Sequence, residues 1–490
     1  MCESPSTSQG EESIPRNWNL AGRYIAVKRF FNVGPPIFCA HKDVRHIALW
    51  ILNELGNKKR TLDFLFEIVH NKRSLSQKDR SLLQALVFGV LRWRGFLDTI
   101  ISYFSNIRIE KIELNILNIL RIGLFQIIYL SKIPVAVAVH TAVEMAKSSS
   151  SPWTAGYVNA LLRKASLNYQ EMPLPDPHKD PIGSLSIKRS FPRWIIEKWI
   201  KRMGYQETEA FCDAINTIPP ISICANVLRT TRKELAKDLQ HQVKNIRLST
   251  YSPDGISFFA PMTSIPEMQA FKKGLFQVQD EASQLVSFLV DPQPGESVLD
   301  ACAGLGGKTG HLAQRMNNSG RIMAVDKNEK KLFRLRSEMK RLGISIAATF
   351  PFDLNYPVRK GLTAMFDRIL VDAPCSGLGV LRRNPDVKWN RSRNQLKVYH
   401  EQQVKFLDNV SSVLKPSGVL VYAVCSTEPE EGEDVIEAFL AEHSEYTADK
   451  MLLGVPEAAR SLVNDHGFLQ TFPHLQHMDG FFTVRMKRVG

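Results

Sequence analysis

Two cysteines occupy matching settings in this chain of 490 residues: Asp372-Ala-Pro-Cys-Ser-Gly377 and Ala423-Val-Cys-Ser-Thr427. Each follows a short apolar run, Arg368-Ile-Leu-Val371 in one case and Gly418-Val-Leu-Val-Tyr-Ala-Val424 in the other, and such runs predict buried strands. Upstream, Asp300-Ala-Cys-Ala-Gly-Leu-Gly-Gly-Lys-Thr309 predicts a glycine-rich turn between a strand and a helix, where backbone can approach a ligand closely. A cofactor loop with two strand-end thiols predicts chemistry that makes and then breaks a covalent bond to a pyrimidine ring.

The loop does not fit the familiar phosphate cradles. A Walker loop needs glycine where Cys302 stands, and a GxGxxG fingerprint from Gly304 needs glycine at Thr309. The acid ending the next strand, Asp326, comes twenty residues after Gly306, a spacing suited to a ribose hydroxyl pair. Asp353, after the third strand, is placed for an adenine edge. Ribose and adenine contacts without a phosphate cradle point to S-adenosylmethionine. The loop residues Cys302, Ala303, Gly304, Leu305, Gly306, Gly307 and Lys308, with Asp326, Asp353 and Asp372, form the candidate cofactor set.

These residues need strands to carry them. From residue 279 to 490 the pattern alternates: strands Ser297–Leu299, Arg321–Val325, Ile346–Phe350, Arg368–Val371 and Val419–Val424, with helices Lys308–Met316, Glu329–Leu342 and Gln395–Leu414 between them. This predicts a doubly wound α/β sheet, in which ligands bind beyond the carboxyl ends of the strands. Every suspect residue falls at such an end. Residues 193–278 read as a helix and then βαββαβ, a small α+β ferredoxin-like domain. Residues 41–168 repeat apolar positions at three- and four-residue steps and predict an all-α domain of six or seven helices, with Ser76 and Asp79 opening one of them. The proline cluster in 169–192 reads as a linker. Residues 1–40 read as a disordered, then basic, extension, and Ser148–Pro152 as a loop.

The formal net charge of +14 favours a polyanionic partner. The seven cysteines are widely spaced without a CxxC, which argues against a disulfide framework or a structural zinc. No apolar run is long enough to cross a membrane. A reduced cytoplasmic setting, no metal and a monomer are the expectations.

At Val278-Gln-Asp280, Asp300–Thr309, Phe366–Gly377, Arg382–Trp389, Val421–Thr427 and Asp479-Gly-Phe-Phe482 the chain resembles the RNA 5-methylcytosine methyltransferases of the Sun/NOL/NOP family. Leu86–Arg92, Leu120–Gln126, Ile133-Pro134 and Asn159–Arg163 resemble the NusB fold, and that domain order is similar to bacterial enzymes acting on small-subunit rRNA. The resemblance implies Cys425 as nucleophile toward cytosine C6 and Cys375 as the residue aiding release. Asp372 would hold the base edge, and Lys308 would touch the base or lower a cysteine pKa. Arg382, Arg383, Lys388 and Arg391, with Arg393 beside them, would grip RNA phosphates, and Trp389 would pack or stack. The chain departs from the family at Gly304-Leu305, where Ala-Pro is usual. Two other functions fit less of the pattern: a DNA cytosine-C5 methyltransferase using Cys375, and a catalytically silent RNA-binding assembly factor.

Overall fold

The computed structural model describes residues 43–57, 60–72, 75–147, 153–358, 365–450 and 454–489. The expected extension at 1–40 and the loop at Ser148–Pro152 lie outside them.

Six helices build the first domain: α1 (Val44–Gly56), α2 (Leu62–Lys72), α3 (Gln77–Phe104), α4 (Leu114–Tyr129), α5 (Val135–Lys147) and α6 (Trp153–Asn168). Ser76 caps α3, accepting from the Asp79 amide, as the sequence predicts. Helix α4 is apolar nearly all round and is buried from Ile116 to Gln126, so the others pack about it. Gly89 permits the central crossing of α3 and α4, because a Cβ there would stand 1.9 Å from the Phe125 ring.

Helices α7 (Pro181–Arg189) and α8 (Arg193–Asn216) follow. The expected linker thus contains a helix. Asp180 caps it and Pro181 occupies its first turn, where a missing N–H costs nothing. The prolines read as a linker include the one that starts α7. Helix α8 runs past the expected end at Met203, bending at Gly204. The middle domain comprises β1 (Ile221–Ala225), α9 (Arg232–Leu239), β2 (Lys244–Leu248), β3 (Gly255–Phe259), α10 (Gln269–Lys272) and β4 (Phe276–Val278). Its strands lie in the order β2-β3-β1-β4, all antiparallel, which is the predicted ferredoxin-like arrangement.

The last domain is a twisted sheet between two apolar layers. Its elements are α11 (Glu281–Val290), β5 (Ser297–Asp300), α12 (Gly307–Arg315), β6 (Arg321–Asp326), α13 (Glu329–Leu342), β7 (Ala347–Pro351), β8 (Phe366–Asp372), α14 (Val387–Asn390), α15 (Arg393–Ser411), β9 (Leu414–Val424), α16 (Glu433–Glu442), β10 (Tyr446–Ala448), β11 (Phe468–Thr471), α17 (Pro473–Gln476) and β12 (Phe481–Arg488). The order is β10-β12-β9-β8-β5-β6-β7, with β11 paired to β12. Strands β5 to β9 are parallel, and β12 runs antiparallel to β9. The doubly wound half is as predicted; the antiparallel tail of β10 to β12 is additional. Gly418 to Val424 in β9 are all buried, as a strand covered on both faces requires. Among the described residues, no helix is long and apolar enough to cross a membrane.

A buried charge cluster in the last domain reaches the start of the middle one through Arg383, which donates to the Pro220 carbonyl at 2.9 Å. Arg383 donates to Asp479 at 2.7 Å and to Asp280 at 2.8 Å, and Arg382 donates to Asp479 at 3.1 Å. The carboxylate of Asp479 is buried among these cations, so its loss leaves the buried guanidinium of Arg382 without a carboxylate, while Arg383 keeps Asp280. Asp479→Ala is expected to lower unfolding free energy by about 3–5 kcal/mol, the usual cost of leaving a buried charge unpaired. Urea unfolding midpoints measure it.

Candidate active site

Strands β8 and β9 are parallel neighbours in the register Asp372 opposite Ala423. Their loops therefore leave the sheet side by side, and the Ala373 amide donates to the Ala423 carbonyl at 2.9 Å. The thiols of Cys375 and Cys425 meet, with their sulfurs 3.2 Å apart and both cysteines free. Behind them the Gly379 amide donates to the Cys425 carbonyl, and the Gly480 amide donates to the Gly379 carbonyl. That approach needs glycine, since a Cβ on Gly379 would lie 2.0 Å from the Gly480 oxygen. The Asp479–Phe482 segment singled out in the sequence thus backs both cysteine loops.

The cofactor loop opens at the end of β5, next to β8 in the sheet. Gly306 caps α12 with φ of 91°, a left-handed conformation suited to glycine. Nothing stands within 4 Å of a Cβ built on Gly307, and only the Cys302 carbonyl, at 4.0 Å, comes near one on Gly304. The loop backbone thus faces open space. Asp326 at the end of β6 folds over this loop: one carboxylate oxygen accepts from the Gly304 amide at 3.1 Å, the other from the Asn328 amide at 2.7 Å. Each oxygen keeps a lone pair for a hydroxyl. Asp353 accepts from the amide and side chain of Asn355 through one oxygen. Cys302, Ala303 and Leu305 complete the turn, with Ala303 buried and Leu305 exposed.

Lys308 reaches across from α12 and donates to Asp372 at 2.6 Å, over the ring of Phe481. The ammonium sits on a carboxylate rather than on a thiol. The expected lowering of a cysteine pKa is absent at Cys375, whose thiol is pushed well above its ordinary value, first by its hydrogen bond with Cys425 and then by burial.

The phosphate-gripping expectation fails at most of its residues. Arg382 and Lys388 are only 4% and 1% exposed. Lys388 donates to the carbonyls of Arg92 and Ser190, each at 2.7 Å, and Arg92 donates to the Arg382 carbonyl at 2.8 Å. Burial drives the Lys388 pKa well below its ordinary value. Arg383 is held by Asp479 and Asp280, and Arg391 donates to the Ser376 carbonyl at 2.8 Å. Trp389 donates its indole N–H to Leu91, so it packs. Of this run Arg393 alone is well exposed, paired with Glu197. These cations lock the Cys375 loop to α3 instead of facing solvent.

Helix α8, with no role predicted from the sequence, grips the other loop. Trp199 donates to the buried carboxylate of Glu428 at 2.8 Å, Lys198 forms an ion pair with it at 2.8 Å, and Arg202 donates to the Thr427 carbonyl at 2.6 Å. The only sequence hint was the run of acids after Cys425. Among the described residues one cluster, Cys224, Asp254 and His311, brings three metal-type donors together, drawn from the middle and last domains.

Burial raises the carboxyl of Asp300, at the root of the loop, to about 7; Thr309 donates to one of its oxygens and the other has no partner. The unfolded value is ~3.9. The folded chain therefore retains a proton that the unfolded chain releases, and this stabilisation, full below about pH 4, is lost as pH rises through about 7. Asp300→Asn lacks that loss. Its urea midpoint is expected to gain on the wild type between pH 4 and pH 7, measured without cofactor.

Comparison with known proteins places three families along the chain. Residues 287–487 match the 16S rRNA methyltransferase RsmB/F family, 42–166 the NusB family, and 191–263 the RsmF/B-like ferredoxin-like domain. A probable ribosomal RNA small subunit methyltransferase B of Bacillus subtilis is 34% identical over 449 residues, covering 91% of this chain and 99% of that one. A ribosomal RNA small subunit methyltransferase B of Pseudomonas syringae is 35% identical over 367 residues, 75% of this chain and 80% of that one. Among solved structures, PH0851 is 26% identical with a TM-score of 0.77, over 91% of this chain and 98% of its own. A methyltransferase homologue from Pyrococcus horikoshii is also 26% identical, with a TM-score of 0.54, over 63% of this chain and 99% of its own.

Proposed function

The chain belongs to the small-subunit ribosomal RNA methyltransferase B family, and on that footing we propose that it transfers a methyl group from S-adenosylmethionine to C5 of a cytosine in small-subunit rRNA. The observation that carries the C5 assignment is the pair of thiols 3.2 Å apart at the ends of adjacent strands. Cytosine C5 is a weak nucleophile, and only a base held covalently at C6 gives two thiols at one site separate work.

When bound, S-adenosylmethionine supplies a methyl group on a sulfonium sulfur. The open backbone of Gly304 to Gly307 would lie along it, Asp326 would take its ribose hydroxyls and Asp353 its adenine edge. Cys425 Sγ would add to C6 as the thiolate, and the C5–C6 π pair would move to C5 and bond the methyl carbon as that carbon's bond to the sulfonium sulfur breaks, its pair staying on sulfur. Loss of the C5 proton would leave the C5–H pair to re-form the C5–C6 double bond, the C6–S bond breaking and the thiolate departing with its electrons. Cys375, its sulfur 3.2 Å from that of Cys425, is placed for proton handling near C5. Asp372, held by Lys308, would accept from the amino edge of the base and fix its orientation. A base in this position has left its stack, which favours a loop or open segment of RNA. The protein is proposed to act as a cytoplasmic monomer.

The DNA-type alternative gives attack to Cys375, and separate replacements distinguish the two. With tritiated S-adenosylmethionine and small-subunit rRNA, Cys425→Ser is expected to transfer no methyl above background. Cys375→Ser is expected to methylate once and accumulate a denaturant-resistant protein–RNA adduct. The adduct appearing with Cys425→Ser instead would exchange the roles.

A further inference from the structure

The buried carboxylate of Glu431, at the far end of the connection that Cys425 opens, sits behind both cysteines. It is wholly buried, as are Ser376 and Ser426, the residues immediately after the two cysteines. One oxygen of Glu431 accepts from the Ser376 amide at 2.6 Å. The other accepts from the Ser376 hydroxyl at 2.5 Å and from the Ser426 hydroxyl at 2.6 Å. Gln403 adds a weaker contact at 3.4 Å while donating to the Pro374 carbonyl at 2.9 Å. The Glu431 carbonyl in turn accepts from Tyr422 of β9 at 2.6 Å.

We propose that Glu431 is a positioning residue that holds the two cysteine loops at one spacing, so that both thiols face a single base. The proposal rests on the two-thiol reading above and names the group that makes it geometrically possible. Adjacent parallel strands bring the loops together only to within strand spacing, ~4.8 Å. Beyond the last ladder bond the loops need a common tie. A carboxylate is the fitting one, since its two oxygens accept several donors at once and each bond is charge-assisted. Serine follows both cysteines for the same reason: each hydroxyl reaches back to the shared acceptor. The tie extends outward, because Arg391 holds the Ser376 carbonyl and the Ser426 hydroxyl accepts from the Glu428 amide, whose side chain α8 holds.

The test compares Glu431→Gln, Glu431→Ala and Ser426→Ala with wild type by three measurements. Steady-state methyl transfer to small-subunit rRNA gives kcat and KM. Calorimetry gives the affinity for S-adenosylmethionine. The third uses phenylarsine oxide, a trivalent arsenical that bridges two closely placed thiols; mass analysis of the Cys375 and Cys425 peptides after iodoacetamide reads how fast the pair is bridged.

Glu431→Ala is expected to lower kcat about 100-fold, the scale for roughly 1 Å of misplacement. KM for RNA and cofactor affinity should stay within about twofold, and bridging should slow by about tenfold or more. Glu431→Gln, which keeps the shape and one acceptor oxygen, should fall between Ala and wild type. Wild-type kcat and bridging in folded Glu431→Ala would overturn the proposal, as would a loss expressed only in RNA KM. If Glu431→Ala does not fold, Ser426→Ala decides: slower bridging with reduced kcat upholds the tie, and wild-type values for both overturn it. Bridging that depends on Glu431 in a wild-type protein that methylates no RNA would uphold the tie and remove the methyl-transfer reading instead.

Discussion

The parallel pairing of β8 with β9 is the constraint from which the site follows. Two strands with Asp372 opposite Ala423 end at the same level and on the same side of the sheet. Whatever follows each strand must then share one small volume, and here two thiols do. A parallel pair also requires a long crossover, and residues 373–413 supply it through α14 and α15. The crossover starts at one of the reactive loops, so the connection that the sheet geometry demands is also what positions Cys375.

That crossover buries charges, and the way they are satisfied explains why the helical domain is joined to the sheet domain. Lys388 is deep enough for its ammonium to lose most of its hydration, and it is stabilised by carbonyls from two separate helical segments, those of Arg92 and Ser190. Arg92 returns a bond to Arg382, and burial lowers its pKa to about 10. Removing α3 would take one of its two carbonyls from Lys388 and the acceptor of the indole N–H from Trp389. The helical domain is therefore part of the support of the Cys375 loop, just as α8 is part of the support of the Cys425 loop. A site carried on a sheet edge gains rigidity from elements some 200 to 300 residues away in sequence.

The same facts show what was legible in the sequence. Strand-end chemistry was readable because a buried parallel strand is a short apolar run and its end is marked by the first polar residue: Asp326, Asp372 and Cys425 all stand there. The ferredoxin-like order was readable from turn residues and alternation. The arginines after Asp372 were not, because a charge in sequence carries no record of its partner. Asp479 lies some 97 residues from Arg382, and Asp280 some 103 from Arg383. Pro181 misled for a related reason: the same residue breaks a helix or begins one, depending on whether Asp180 is free to cap. The antiparallel strands β10 to β12 are short or lie in loop-rich surroundings, and the pairing of β12 to β9 is decided by the sheet edge it covers.

The two cysteine motifs look alike on paper, and their sulfurs touch. Both are followed by serine and both end strands. The thiolate of Cys375 is disfavoured first by its hydrogen bond with Cys425, then by burial, and further by the negative charge of Glu431. Lys308, the nearest cation in sequence logic, is occupied by Asp372 and does not offset this. Placing two like groups together forces them to ionise unequally, as it does for paired carboxylates. On the proposed chemistry that inequality is the useful property: one sulfur attacks as the thiolate while its partner remains a thiol. The division of labour then follows from the closeness of the two sulfurs rather than from any difference between the residues themselves.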